Sequence, residues 1–193
     1  MLKVGITGGI GSGKSVVSKI IESLGYPVFN SDQVSKDLVN THPEIKAGLI
    51  ALFGEEIYTK DGLNKSLLAK IIFSDDDART KVNTLIHPRV REAFADFAEN
   101  ASSSMLFNEA AILFETGANE QMDQMILVTA PEALRIKRVM SRDGVSEDEV
   151  KGRINKQWSD DKKIDLADFV LINDEKEPLL KQVVDALTFL SKV

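Results

Sequence analysis

The sequence predicts an α/β fold in which a parallel sheet is flanked by helices, and three observations carry that reading. Leu2, Val4 and Ile6 form a short apolar strand that runs directly into Gly8-Gly9-Ile10-Gly11-Ser12-Gly13-Lys14-Ser15. Behind this loop, Val16, Val17, Ile20, Ile21 and Leu24 recur at helical spacing, and Gly25 supplies the stop. Farther along, Met105-Leu106-Phe107, Met125-Ile126-Leu127-Val128 and Phe169-Val170-Leu171-Ile172 are short continuous apolar runs, the pattern of strands buried on both faces. Helical patterns alternate with these strands, which implies right-handed crossovers and a ligand site at the C-terminal edge of the sheet.

The remaining elements follow in order. Tyr26-Pro27-Val28-Phe29-Asn30 reads as a turn into a second strand, and Ser31-Asp32 opens a helix that reaches about Val39. Between His42 and Asn100 helical patterns dominate, with Ile45, Leu49, Leu52 and Phe53 in one and Leu67, Leu68, Ile71 and Ile72 in another. Gly54, Lys60-Asp61-Gly62 and Asp75-Asp76-Asp77 separate them, and no buried strand is expected there. A helix follows from about Pro131 to Arg142, then a stretch to Asp165 in which charged residues are dense. Leu179, Leu180, Val183, Val184, Leu187 and Leu190 make an amphipathic closing helix. The chain therefore reads as one domain over residues 1–193: a core at 1–41 and 101–142, a helical insertion at 42–100, a mobile charged segment at 143–165, and a closing strand and helix at 166–193.

Composition bounds the function. A chain of 193 residues with 43% hydrophobic and 28% charged residues fills one globular domain and has no apolar run long enough to span a membrane. No apolar h-region precedes the loop, so a cleaved secretory signal is not expected. The absence of cysteine excludes disulfides, thiolate metal sites and cysteine nucleophiles, and fits a cytoplasmic location. A formal charge of −6 argues against nonspecific nucleic-acid binding, which needs a basic surface. Polyanionic substrates would need cations gathered locally.

The loop is where they gather. In a G-x-x-x-x-G-K-S loop set between strand and helix, backbone N–H groups turn inward to phosphate oxygens and the helix N-terminus adds positive charge. Gly8, Gly9, Gly11, Ser12, Gly13, Lys14, Ser15 and Val16 are thus the candidate ATP-binding residues; Lys14 reaches the terminal phosphates and the Ser15 hydroxyl can ligate Mg2+. A guanine-reading switch is not expected: Asn155-Lys156-Gln157-Trp158 lacks the aspartate of N-K-x-D, and no D-x-x-G occurs. A small kinase needs a carboxylate after its second strand, where Asp32 stands; the same position also suits a helix cap. Arg135, Arg138 and Arg142 share one helix face, as a phosphate-binding row or as a solvated face paired with local acids.

Together these residues resemble the dephospho-coenzyme A kinase family. The segment Gly5-Ile6-Thr7-Gly8-Gly9-Ile10-Gly11-Ser12-Gly13-Lys14-Ser15 is similar to that family's opening, and Asn30-Ser31-Asp32 stands at its D-A-D. Asn83 with His87-Pro88, Ile112-Leu113-Phe114-Glu115, Arg142-Asp143, Gln157 and Asn173 follow in the family's order, so the likeness runs from residue 3 to about 175. Five positions depart from it: Val16 for threonine, Asn30 for the first aspartate, Lys65 for an arginine, Ala111 for a proline, and Ile172-Asn173-Asp174-Glu175 for D-N-x-G.

The resemblance implies a P-loop NTPase fold with a helical acceptor-binding insertion and a helical lid. It implies transfer of the γ-phosphoryl group of ATP, with Mg2+, to the ribose 3′-hydroxyl of dephospho-CoA. Lys14, Asp32, Arg138 and Arg142 would be catalytic, Asn173 would lie against the adenine, and Asp32, Lys65, His87 and Pro88 would serve the acceptor. Arg89 and Arg91 could meet its diphosphate. His87 also reads as a structural or capping histidine, and Glu115 equally as a partner of the magnesium shell or a structural acid. Two other readings stay open: a kinase of the same architecture with another acceptor, and a non-catalytic ATP-binding module. The oligomeric state is open as well.

Overall fold

A computed structural model describes residues 1–192. In chain order the elements are β1 (Leu2–Thr7), α1 (Lys14–Ser23), β2 (Val28–Asn30), α2 (Ser31–Thr41), α3 (Pro43–Phe53), β3 (Tyr58–Thr59), β4 (Gly62–Leu63), α4 (Lys65–Ser74) and α5 (Asp76–Asn100). They continue with β5 (Met105–Glu109), β6 (Gln124–Thr129), α6 (Glu132–Asp143), α7 (Glu147–Ile154), α8 (Asp160–Ile164), β7 (Phe169–Ile172) and α9 (Leu179–Leu190). The chain divides into two compact units, Met1–Asn30 with the residues from Ala101 onward, and Ser31–Asn100. The division falls at Ser31, so α2 belongs with the helical unit, whereas the sequence pattern places it with the core.

The first unit is a five-stranded parallel sheet in the order β2-β5-β1-β6-β7. β1 is the central strand and is apolar: Val4 and Ile6 are fully buried, sealed by Val17 and Ile21 of α1 and by Val183, Leu187 and Leu190 of α9. Each such side chain contributes about 1.5–3 kcal/mol by leaving water. In α9 the buried stripe is Val183, Ala186, Leu187 and Leu190, while Leu180 and Val184 stay exposed. The apolar face is therefore narrower than the sequence pattern implies.

β5 differs from expectation in an informative way. Its apolar run ends at Phe107, yet the strand continues through Asn108 and Glu109, both buried. Their ladder partners lie on both sides: Glu109 stands opposite Ile6 of β1 and Asn30 of β2. Backbone pairing to two neighbours holds these polar residues in the sheet despite the cost of burying them.

The 143–165 segment is held more firmly than its composition indicates. Gly144 closes α6 in the left-handed conformation, and Ser146 and Glu149 form a capping box on α7. Val150 is fully buried against Ile136 and Val139 of α6. Trp158 packs beside Leu113, Phe114 and Met125, with the Lys162 ammonium 3.2 Å from its ring centroid.

The second unit packs α2 to α5 around Val39, Ile45, Leu49, Ile57, Leu68, Val82 and Ile86. β3 and β4 form a two-stranded antiparallel hairpin about the Lys60-Asp61-Gly62 turn, a small element absent from the sequence reading. The Tyr58 hydroxyl donates to the Val39 carbonyl at 2.5 Å, and Asn64 caps α4 by accepting from the Leu67 N–H. The Asp75 carboxylate accepts from the N–H groups of Asp77 and Ala78, which explains why the acidic run starts a helix. Among the described residues no helix is long and apolar enough to cross a membrane.

Candidate active site

β1 delivers the chain to the glycine loop, and the loop's shape follows from what surrounds it. Gly13 is left-handed at φ 99° and ψ 24°, where a side chain would be strained, and α1 begins at the next residue. A Cβ on Gly8 would lie 2.2 Å from the Val128 carbonyl oxygen, and one on Gly13 would lie 2.0 Å from Nδ2 of Asn173. Only glycine allows such close approach. The Lys14 ammonium donates to the carbonyl of Gly8 at 2.9 Å and lies 3.5 Å from that of Gly9. It therefore sits over the curl of the loop. Ser15 and Val16 are exposed in the first turn of α1, whose N–H groups point toward the loop mouth.

Asn173, immediately after β7, is brought to the same loop. Its backbone N–H donates to Thr129 on β6, and its side-chain Nδ2 donates to the Ser12 carbonyl at 2.8 Å. Arg138 joins them: its Nη2 donates to the Asn173 carbonyl at 3.1 Å and to Glu175 Oε1 at 3.0 Å, and its Nη1 is 3.4 Å from the Gly11 carbonyl. Glu175 has φ 67°, the one left-handed non-glycine among the described residues, where D-N-x-G would place a glycine. The departure puts a carboxylate on Arg138.

The arginine row does not stay together. Arg135 is buried and pairs with Asp160, Arg138 reaches the loop and Asn173, and Arg142 is exposed beside Asp143. All three have acidic partners, so a row of unpaired cations is not what this helix presents. Arg142 is raised above the usual arginine range, chiefly by its hydrogen bond to Asp143. The same bond holds Asp143 below the usual carboxylate range, with Arg153 assisting.

Asp32 is the second residue of α2, inside its first turn. Acid there favours the positive helix end. Asn30, at the end of β2, donates from Nδ2 to Glu109 Oε2 at 3.2 Å. An aspartate in its place would set two carboxylates against each other; the amide avoids that repulsion. Glu109 is a carboxylate that the sequence reading missed, because the apolar signal stopped two residues short of it.

Glu115 lies in the turns after β5. Its Oε1 accepts from the Trp158 N–H at 3.0 Å and lies 2.7 Å from the ammonium of Lys163, which is fully buried. Oε1 thus serves a structural pair, while Oε2 is buried without a hydrogen-bond partner among the described residues. Lys163 gave no signal of this in a stretch dense with charge. Glu115→Ala is expected to cost about 3–5 kcal/mol in urea unfolding by leaving a buried charge alone. Glu115→Ala with Lys163→Met should recover much of that loss; a double variant as unstable as the sum of the singles would contradict the pairing.

In the second unit, Lys65 is exposed at the start of α4, and His87 and Pro88 lie within α5. His87 is lowered below the usual histidine range, first by burial and then by the charge of Arg91, so its ring is neutral at neutral pH. Pro88 has no N–H to offer the carbonyl of Thr84 one turn earlier. Arg89 is engaged by the carboxylates of Glu44 and Glu92. It reads as an internal tie of this unit.

The donor set suits a magnesium ion carried by a nucleotide. Among the described residues no group of three or more His, Cys, Asp or Glu could form a cage for a metal. An exposed loop hydroxyl at Ser15 fits an ion bound mainly by phosphates and water.

Comparison with known proteins identifies the family. A family model described as dephospho-CoA kinase matches residues 2–178. A dephospho-CoA kinase of Bacteroides fragilis is 43% identical over 190 residues, covering 98% of this chain and 93% of that protein. A solved protein of Thermus thermophilus superposes with a TM-score of 0.85 at 31% identity, covering 99% of this chain and 96% of its own. A dephospho-CoA kinase of Campylobacter jejuni gives 0.67 at 25%, with 98% and 97% covered. The five-stranded order, the glycine loop at the end of its central strand and a match over nearly the whole length converge on one conclusion: the chain belongs to the dephospho-CoA kinase family.

Proposed function

We propose that this protein transfers the γ-phosphoryl group of ATP to the ribose 3′-hydroxyl of dephospho-CoA, giving coenzyme A and ADP, and that the residues above divide the work. The observation that carries the reading is the loop of residues 8–15 with the Lys14 ammonium over its curl, in a chain matched to the family over residues 2–178. Phosphoryl transfer asks little covalent chemistry of the protein; positioning and charge stabilisation supply the rate. The loop N–H groups and Lys14 hold the phosphates and spread the charge that develops on them. Magnesium bound with ATP would neutralise the same oxygens, with the Ser15 hydroxyl as its protein ligand.

Asp32 orients the acceptor hydroxyl and accepts its proton. Asn173 lies against the adenine, and Arg138, tied to Asn173 and to Gly11, serves the nucleotide from the same side. Arg142 supplies charge to the transferring group after giving up Asp143. Lys65, His87 and Pro88 line the acceptor's place, the neutral imidazole of His87 acting as a hydrogen-bonding group and not as a cation. The compact unit Ser31–Asn100 supports an acceptor-binding insertion over residues 42–100 in a single kinase, whose charged segment 143–165 serves as the lid. The net charge of −6 argues against nucleic acid as a partner, and the lack of cysteine fits a cytoplasmic enzyme.

An acceptor panel tests this. Adenosine is expected to be a poor acceptor and dephospho-CoA a good one, with ADP release as the readout. Binding energy from the pantetheine arm and diphosphate positions the 3′-hydroxyl, so truncated acceptors should lose kcat and not only affinity. Equal kcat/KM for adenosine and dephospho-CoA would overturn the acceptor assignment.

A further inference from the structure

Ile10, the apolar residue in the middle of the phosphate loop, is held on both sides of its backbone. Its carbonyl accepts from Nε of Arg135 at 3.0 Å, and its N–H donates to Oε1 of Gln157 at 2.8 Å. Arg135 comes from α6, Gln157 from the stretch between α7 and α8. The same guanidinium continues to Asp160 at the start of α8, Nη1 to Oδ2 at 3.0 Å, with the two side chains only 7% and 22% exposed. One buried side chain thus spans from the loop to the base of the 143–165 segment.

The glycines supply an independent observation. A Cβ on Gly9 would fall 2.1 Å from Nη2 of Arg135, and one on Gly11 would fall 2.6 Å from the Arg135 carbonyl oxygen and 3.0 Å from its Cα. Two of the loop's glycines are therefore packed against Arg135, one on its side chain and one on its backbone. A residue serving only to pair with Asp160 would not need the loop to be shaped around it.

We propose that Arg135 is a positioning residue for phosphoryl transfer, fixing the phosphate loop and the base of the 143–165 segment to each other through Ile10 and Asp160. The chemistry suits the task. A guanidinium is a rigid planar fork that can serve two acceptors at once, whereas an ammonium is a point charge on a flexible stem. Arg135 is buried, so breaking its pair with Asp160 strands a guanidinium away from water, and that makes the link stiff. Loop displacement would move the bound phosphates relative to the attacking hydroxyl, and misplacement by about 1 Å costs on the order of 10²-fold in rate. Arg135 touches no reacting atom in this role and acts through the loop backbone. The inference rests on the loop being the ATP site of a dephospho-CoA kinase.

The test uses the whole protein, with steady-state kinetics in ATP, magnesium and dephospho-CoA alongside thermal unfolding. Turnover by the unaltered protein in that assay checks the underlying function separately. Arg135→Met is expected to lower kcat by about 10–100-fold at a temperature where it remains folded, with KM for dephospho-CoA unchanged. Arg135→Lys should regain part of that loss. Asp160→Asn should lower kcat by about 3–10-fold. Added to Arg135→Met, it should cost nothing further, because both act through one link. Asp160 starts a short helix at a partly exposed position, so its variant carries the test alone if Arg135→Met does not fold. Unchanged kcat in Asp160→Asn, or a Tm loss in Arg135→Met with wild-type kcat and KM, would overturn the proposal, as would losses that multiply in the double variant.

Discussion

Lys14→Ala is expected to reduce kcat by about 10²–10³-fold or more while leaving the fold intact. The ammonium sits 2.9 Å from the Gly8 carbonyl, over the curl of the loop, where terminal phosphates would lie. Its role is to hold charge that grows as the γ-phosphoryl group leaves ADP, so the loss should fall mainly on kcat. Stability should change little: the loop is fixed by the hydrogen bonds of Ser12 and Asn173 and by the packing of its glycines, none of which needs the lysine side chain. Steady-state kinetics with a parallel unfolding curve check both halves. Near-wild-type turnover would mean the loop binds nucleotide without serving the transfer. A large loss of stability would mean the lysine is part of the loop's scaffold.

Asp32→Asn is expected to lower kcat by about 10²–10⁴-fold, the usual scale for removing a general base, with modest effect on nucleotide affinity. The amide keeps the size of the side chain and removes its proton affinity. Asp32 also sits in the first turn of α2, where its negative charge favours the helix end. Losing that charge should cost about 0.3–1 kcal/mol, a small price beside the rate effect. The two contributions separate cleanly, because turnover measured on folded protein is blind to the helix term. If the variant turns over normally and only its unfolding midpoint moves, Asp32 is a helix residue and the base lies elsewhere.

Much of this fold is legible in the sequence because its signals are local. The glycine loop needs three things in a row, an apolar strand, close-packed glycines and a helix, and residues 2–24 supply them without a gap. The buried strands announce themselves as apolar runs, and Asn173 stands where the last of them ends. What stays hidden depends on neighbours far away in the chain. Glu109 enters the sheet because β1 and β2 pair with it on both sides, which no periodicity within residues 105–109 reveals. Lys163 and Glu115 are 48 residues apart, yet they bury each other's charge; within its own stretch Lys163 looks like one solvated lysine among many. Arg135 shares a helix face with Arg138 and Arg142, so spacing groups the three, and only packing shows that Arg135 is buried behind the loop. Arg89, offered by charge to an incoming diphosphate, is already held by Glu44 and Glu92.

The direct measurement of what this enzyme makes is phosphorus NMR of the product formed from ATP, magnesium and dephospho-CoA. A new phosphomonoester on the 3′-oxygen of the ribose, formed in equal amount with ADP and lost in Lys14→Ala, is the expected result. Phosphate on another oxygen, or ATP consumed without transfer to the acceptor, would contradict it.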